Sequence, residues 1–280
     1  MTTNARLGQQ LEEARHDDLL PEFFNLFGMK HLIETDAELR RELLEGRCGV
    51  LRLDVRGLKF VNDLTHHGGV SGEGGGNDFL RLVGARVMGS SNTSPLVRLT
   101  PRSTKEGDEP VKDLLFFRPH GDELGTAVRR VTPENLQIVG RRVSNAFSVA
   151  RGIQEGRNSM APIIGNVGAA HASELTISDS EISLPPGTSK KAAEVIRAKA
   201  IFDAVSQEAD ARSTGIRRQQ YQEMLNALCE DDPTLPLRHN HIVKDPQSHT
   251  SSILKLFFER FCPAFLEDPE GAIQRSLAQR

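Results

Sequence analysis

Hydrophobic and polar residues follow two different periods along the first half of the chain. Residues 5–46 are polar, with apolar residues at helix-like intervals, which predicts a helical N-terminal segment that ends near Gly46. Residues 50–55 alternate between apolar and polar side chains, which predicts a short strand with Asp54 near its end. Apolar residues then recur at helical spacing from Asp78 to Met88, so a helix is expected to follow the strand.

The second half begins with a hairpin pattern. Residues 114–118 and 123–131 are predicted strands, because the turn residues 119–122 separate two apolar runs. Thr132-Pro133-Glu134 is a favourable helix start, since a hydroxyl cap, a first-turn proline and an acid occur together. The pattern then predicts a strand at 163–172 and helices at 190–211, 216–229, 251–261 and 268–278.

This order of elements is strand, helix, strand, strand, helix, strand, helix. Helices in such an order pack on one face of an antiparallel-rich sheet, so we expect an α+β fold with a ferredoxin-like palm. The predicted division is an N-terminal helical segment at 1–45, a central domain at 46–212 and a C-terminal helical extension at 213–280. The glycine-rich stretch 64–76 and the polar stretch 89–112 are expected to be a loop and an exposed insertion.

Composition narrows the class of protein. The 280 residues carry a formal net charge of −3, which argues against a protein that coats nucleic acid. No apolar stretch reaches the roughly 20 residues that span a bilayer, and the N-terminus has no apolar secretory segment. Three widely separated cysteines provide neither a disulfide framework nor zinc-ligand spacing. We therefore expect a cytoplasmic protein with neither membrane nor nucleic-acid partners.

Acidic residues lie at the end of the first predicted strand and in the turn of the predicted hairpin. Asp54 lies at the end of the first predicted strand, and Asp122 and Glu123 lie in the turn of the hairpin. In a ferredoxin-like sheet the first strand lies beside the hairpin, so we expect Asp54 and Asp122 to converge to shared-metal distance. Carboxylates with a backbone carbonyl suit Mg²⁺ or Mn²⁺, which can polarise a phosphate.

Three segments resemble the motifs of GGDEF domains, the diguanylate cyclases. They are DVRGLKFVND at 54–63, GNDFL at 76–80 and RPHGDEL at 118–124, and they occur in the family's order. The resemblance covers roughly residues 46–210. It implies a nucleotidyl cyclase palm that condenses two molecules of GTP into cyclic di-GMP with release of pyrophosphate. It also implies a homodimer, because each active site of such an enzyme holds one nucleotide.

The resemblance assigns roles to individual residues. Metal binding falls to Asp54, the carbonyl of Val55, and Asp122, and catalysis to Asp122 and Glu123. Nucleotide binding falls to Gly57, Leu58, Lys59, Asn62, Asn77, His120, Gly121 and Lys199. The implied substrate is a nucleoside triphosphate, with GTP expected.

Several positions depart from the family pattern. His120 replaces the first glycine of the signature, Asn77 replaces the aspartate that contacts guanine, and Arg56 replaces the second aspartate of DxD. Asp203 stands where an arginine would follow the lysine. An asparagine amide offers guanine one acceptor oxygen where a carboxylate offers two, so the base preference is open.

Two further hypotheses therefore stand beside the cyclase. One is a catalytically inactive GGDEF-like module that binds a nucleotide or a protein partner, and the other is a structural adaptor whose C-terminal helices bind a protein. Less specific interpretations also remain: Asp54 as a strand end, Asp122 and Glu123 as a solvated turn, and Lys199 as a surface lysine. The phenylalanines at 257, 258, 261 and 265 are expected to be core.

Overall fold

The structure is a computed structural model that describes residues 14–65, 74–88, 114–177 and 182–279. The predicted loop at 64–76 and the predicted insertion at 89–112 lie largely outside these residues.

Five strands form one mixed sheet. They are β1 (Phe24–Asn25), β2 (Gly49–Arg56), β3 (Leu114–Arg118), β4 (Glu123–Val128) and β5 (Ile164–His171), in the order β1-β3-β4-β2-β5. β3 and β4 pair antiparallel, whereas β1 pairs parallel to β3. Without β1, the order is that of a ferredoxin-like sheet, with the first strand between the hairpin and the last strand. The predicted α+β class is confirmed.

Most helices occur in the chain order predicted from the pattern, but the helices Leu58–Thr65 and Val149–Arg157 were not predicted. Those before β5 are Leu26–Thr35, Ala37–Leu44, Leu58–Thr65, Gly74–Met88, Pro133–Ala146 and Val149–Arg157. After β5 come the 3-10 turn Ala172–Glu174 and the long helix Lys190–Asp231. The C-terminal helices are Leu235–Arg238, Asn240–Lys244, Thr250–Phe261, Pro263–Glu267 and Pro269–Ala278, with the 3-10 turn Pro246–His249.

Two predicted boundaries are wrong. The N-terminal segment is not wholly helical, because Phe24–Asn25 pairs with the open edge of β3. The helix that begins at Lys190 does not stop near 211 but continues to Asp231. Ser213 and Gln220 donate hydrogen bonds to the backbone oxygens of Asn166 (3.1 Å) and Gly165 (2.6 Å), which offsets the low helix propensity of the Ser-Thr-Gly sequence at 213–215.

The chain forms two compact units, and each is built from three separate segments. The first unit comprises Met1–Leu53, Ser91–Arg142 and Val167–Arg212, and the second comprises Asp54–Ser90, Val143–Asn166 and Ser213–Arg280. The chain passes from one unit to the other within β2 and within β5. The three-part division predicted from the sequence stays a prediction.

Each unit has its own apolar core. In the first unit Phe117 and Phe202 meet edge to face at 5.4 Å, within a cluster that includes Met29, Ile33 and Val50. In the second unit the phenylalanines predicted as core are buried, with exposed fractions of 6% or less, so that prediction is confirmed: Phe257, Phe258, Phe261 and Phe265.

Candidate functional site

The carboxylate of Asp54 is bound by two arginines of the second unit. Arg56 donates to Asp54 Oδ2 at 2.8 Å, and Arg217, from the long helix, donates to the same oxygen at 2.7 Å. Asp54 and Arg56 are two positions apart in β2, so their side chains leave the strand on the same face. The Asp54 residue is 8% exposed, and the two guanidinium groups therefore neutralise a nearly buried charge.

Further contacts fix Arg56 in place. Its guanidinium donates to Asn166 Oδ1 and lies 5.8 Å from the centre of the Tyr221 ring, a cation–π distance. Asn166 in turn donates to the backbone oxygen of Ser213 at 2.7 Å. Because the side chain of Arg56 is only 7% exposed, this arginine is part of the interior of the unit. Arg217, at 43% exposed, is the member of the cluster that solvent reaches.

The hairpin turn of the first unit carries the second set of predicted residues. Gly121 has φ +56°, a left-handed conformation that glycine adopts without strain, and its carbonyl accepts from Arg118 Nη2 at 2.6 Å. The Glu123 carboxylate accepts from Arg52 and lies 3.4 Å from His120 Nδ1. The His120 side chain is 76% exposed.

The donor set does not fit the expected Mg²⁺ site. Asp54, one of the two carboxylates predicted to bind the metal, is already paired with two arginines, and Glu123 is paired with Arg52. Two like unit charges 4 Å apart repel by about 4 kcal/mol at an effective dielectric constant of roughly 20, and a divalent ion doubles that cost. Arg56 and Arg217 would thus oppose a cation on Asp54.

The turn expected to bind phosphate is retained in the second unit. Gly57 has φ +85° and leads into the helix Leu58–Thr65, whose Val61 amide donates to the Gly57 oxygen at 2.8 Å. The C-terminal extension reaches this turn: a Cβ on Gly57 would lie 3.6 Å from the ring of Phe258 and 3.7 Å from Leu254. Lys59 is exposed at the start of the helix, whereas the preceding Val55 is buried.

The two asparagines expected to contact the base lie on neighbouring helices. The Asn62 amide packs so closely on Gly76 that a Cβ there would collide with Asn62 Oδ1. Asn77 is the next residue of the helix Gly74–Met88. Lys199, in contrast, forms an ion pair with Glu34 in the first unit, and Asp203 one turn later pairs with Lys30 at 2.9 Å.

Sequence reasoning missed one member of the Asp54 cluster. The Arg56 substitution was visible in the DVRGLK segment, and the period of a strand would have placed it beside Asp54. Arg217 carried no such signal, because it stands 163 residues from Asp54 on a helix that was predicted to be interrupted. The assignments of metal, catalytic and nucleotide-binding residues stay predictions.

Solved structures of GGDEF domains are similar to this chain. The coiled coil and GGDEF domain of DgcB from Caulobacter crescentus, in complex with c-di-GMP, is 16% identical with a TM-score of 0.43, covering 77% of this chain and 87% of that one. Diguanylate cyclase SiaD from Pseudomonas aeruginosa, in complex with its activator SiaC, is 16% identical with a TM-score of 0.42. The match covers 77% of this chain and 63% of that one.

The FimX GGDEF domain from Pseudomonas aeruginosa is 13% identical with a TM-score of 0.40, covering 72% of this chain and 94% of that one. No family model and no curated protein matches the sequence. The strand order carries the assignment of the fold. Among the helices of the described residues, none has the length and apolar character needed to cross a membrane.

Proposed function

We propose that this chain is a catalytically inactive GGDEF-like module that binds a nucleoside triphosphate without a metal ion. One observation carries the proposal: two guanidinium groups face the single carboxylate of Asp54. The cluster therefore has a net charge of about +1, where a metal-binding site needs a negative charge. It attracts an anion and repels a cation.

The arginines supply the charge that a metal ion would otherwise supply to a triphosphate. Guanidinium groups bind phosphate oxygens through paired N–H donors and stay protonated at neutral pH. Arg217 is accessible, and Arg56, held by Asn166, keeps the carboxylate of Asp54 compensated if Arg217 turns toward a ligand. The turn at Gly57 follows Asp54 by three residues in the chain and leads into the helix Leu58–Thr65.

Asn77, on the helix Gly74–Met88 of the same unit, is the residue we expect to contact the base. Its amide offers one acceptor and two donors to the edge of a purine. We expect GTP to bind, with weaker discrimination among bases than an aspartate would give. Condensation of two GTP molecules into cyclic di-GMP is not expected, because a metal on Asp54 would have to displace both arginines.

Two measurements test the proposal. The protein is incubated with each nucleoside triphosphate and Mg²⁺ or Mn²⁺, and the products are separated by mass; no cyclic dinucleotide or pyrophosphate is expected. GTP binding is then measured by calorimetry with Mg²⁺ and with EDTA, and the two affinities should agree within about threefold. Formation of cyclic di-GMP would overturn the proposal and support the cyclase, and loss of binding in EDTA would refute metal independence.

A pair of neighbouring arginines gives the matched control. Arg217→Gln should weaken GTP binding about 10-fold or more, the value of a charge-assisted hydrogen bond. Arg218→Gln removes the same charge from the next position of the same helix, where the side chain is exposed, and should leave the affinity within about threefold. Equal losses in the two variants would contradict a specific role for Arg217.

A further inference from the structure

A polar cavity of about 600 Å³ lies in the second unit, apart from the residues of the proposed nucleotide site. Arg86 comes from the helix Gly74–Met88, and Arg151 and Glu155 come from the helix Val149–Arg157. The rest of the wall includes amide side chains: Gln154, Asn158 and Gln279. A cavity of this size is typical of sites for small organic molecules, which occupy roughly 300–1,000 Å³.

The charges in this cavity do not balance. Arg86 contacts both oxygens of Glu155, at 2.7 Å and 3.1 Å, and Arg151 Nε donates to the same carboxylate at 3.0 Å. Two guanidinium groups thus share one carboxylate, which leaves a net charge of about +1.

Arg86 is deeply buried, and besides Glu155 it contacts the backbone oxygen of Ala146 at 3.4 Å and lies 5.8 Å from the centre of the Phe147 ring. Its side chain is 10% exposed, and among the described residues its buried Nε has no hydrogen-bond partner. Burial lowers the pKa of the Arg86 guanidinium, although the charge and hydrogen bond of Glu155 act in the opposite direction. The desolvation of this cation is therefore not fully offset by the protein.

We propose that this cavity binds a small organic molecule through an oxyanion, a carboxylate or a phosphate monoester. The planar donor face of Arg151, half exposed at the rim, pairs with the oxyanion in the bidentate geometry that guanidinium groups favour. The buried charge of Arg86 behind it adds attraction in a region of low dielectric constant. Gln154, Asn158 and Gln279 donate to, and accept from, the neutral polar groups of the ligand.

The test uses one simple compound for each kind of oxyanion: inorganic phosphate for phosphate esters and acetate for carboxylates. Each is titrated into the full chain by calorimetry at constant ionic strength, with sodium chloride as the reference salt. We expect saturable binding of at least one: phosphate alone assigns the site to phosphate esters, acetate alone assigns it to carboxylates, and both assign it to oxyanions in general. Saturable binding of neither would overturn the proposal.

Variants locate the binding. Arg151→Gln should lower the affinity about 10-fold to 100-fold, the effect of losing a charge-assisted pair. Arg142→Gln removes an exposed arginine that does not line the cavity and should have no effect. Equal losses in both variants would overturn the proposal, since they would indicate nonspecific attraction.

The site is also separable from the proposed nucleotide site. Arg151→Gln should leave GTP binding unchanged. The phosphate and acetate titrations are repeated in Arg217→Gln, which weakens any phosphate binding at the nucleotide site, and the binding that depends on Arg151 should persist there. A failure of nucleotide binding in the wild-type protein would therefore not remove the oxyanion site, and a failure here would not remove the nucleotide site.

Discussion

Two deeply buried arginines, one in each compact unit, meet opposite surroundings. Arg129 of the first unit, 6% exposed, faces three carboxylates: Glu42 at 2.7 Å, Asp36 at 3.2 Å and Glu38 at 3.6 Å. Arg86 of the second unit, 10% exposed, has the carboxylate of Glu155 and shares it with Arg151. The two side chains are similarly buried, but Arg129 has three neighbouring carboxylates and Arg86 has one.

The pKa values move in opposite directions as a result. Burial opposes the charge of both arginines. The hydrogen bond and charge of Glu42, with Asp36 and Glu38, nevertheless raise the pKa of Arg129 above its ordinary value. Burial lowers the pKa of Arg86 because Glu155 offsets too little of the desolvation. An arginine with surplus carboxylates is a structural element, whereas one with a deficit has affinity left for an external anion.

The largest expected effect is on stability in the first unit. Arg129→Met should lower the free energy of unfolding, measured in urea, by about 3–5 kcal/mol, since Glu42 is left buried with a weaker partner. Glu42 is fully buried, and Arg130 lies 3.6 Å from its other oxygen. Arg41→Met, at a side chain that is 60% exposed, is the control and should cost less than about 0.5 kcal/mol. A loss below about 1 kcal/mol at Arg129 would contradict the structural role.

Two buried cysteines lie near the acidic partners of the two buried arginines, Cys48 near Glu42 and Cys262 near Glu155. Burial, followed by the charge of a nearby acid, raises the pKa of Cys48 beside Glu42 and of Cys262 beside Glu155 to about 12. At pH 8 ionisation alone should then slow alkylation on the order of 10³-fold relative to an ordinary thiol, because the thiolate is the reactive form. Mass spectrometry of the native protein should find Cys229, which is partly exposed, modified first. Equal rates at Cys48 and Cys229 would contradict this burial.

The second unit should tolerate the loss of its buried arginine better. Arg86→Met should cost only about 1–2 kcal/mol in urea unfolding, since Glu155 keeps its contact with Arg151 and with the amide of Ile163. Glu155→Gln is the matched variant and should cost more, because it leaves two guanidinium groups uncompensated. The reverse order of these two variants would show that carboxylate, rather than positive charge, is in excess there.

The smallest effect concerns the helix Pro269–Ala278, which carries one wall of the oxyanion cavity. The hydrogen bond from Arg275, then that from the Gly271 amide, lowers the pKa of the exposed Asp268 carboxyl below its ordinary 3.8. This contribution to stability is complete above the ordinary pKa and is lost as the pH falls through the lower value of the folded state. A carboxyl titration by NMR should give a midpoint below 3.8 in wild type and a higher one in Arg275→Gln. An unchanged midpoint would contradict the role of Arg275.

Local pattern was sufficient for most of the sheet. The alternation at 50–55 predicted β2, and two apolar runs around a turn predicted the hairpin of β3 and β4. Phenylalanines at helical spacing predicted a core that the structure confirms. The strand β1 was not predicted, because two residues carry no period and they pair with residues that lie 93 positions away in the chain.

The site was less predictable than the fold. Motif positions such as Gly57 and Gly121 take the left-handed conformations that their turns require. The charge environment of Asp54 differs from the expected one, because a carboxylate recognised in a motif says nothing of what faces it. One guanidinium comes from the same strand, but the other comes from a distant helix.

The sequence by itself determined the α+β order of elements, the turns and the positions of the carboxylates, since these depend on interactions between near neighbours in the chain. Only the tertiary structure decided which charges those carboxylates meet. Asp54 acquires Arg217, and Glu155 acquires Arg86, across separations of 163 and 69 residues. Ionic partners act through space, and a buried carboxylate must find its counter-charge wherever the fold places one. At Asp54, where the sequence led us to expect a metal ion, the fold places two guanidinium groups.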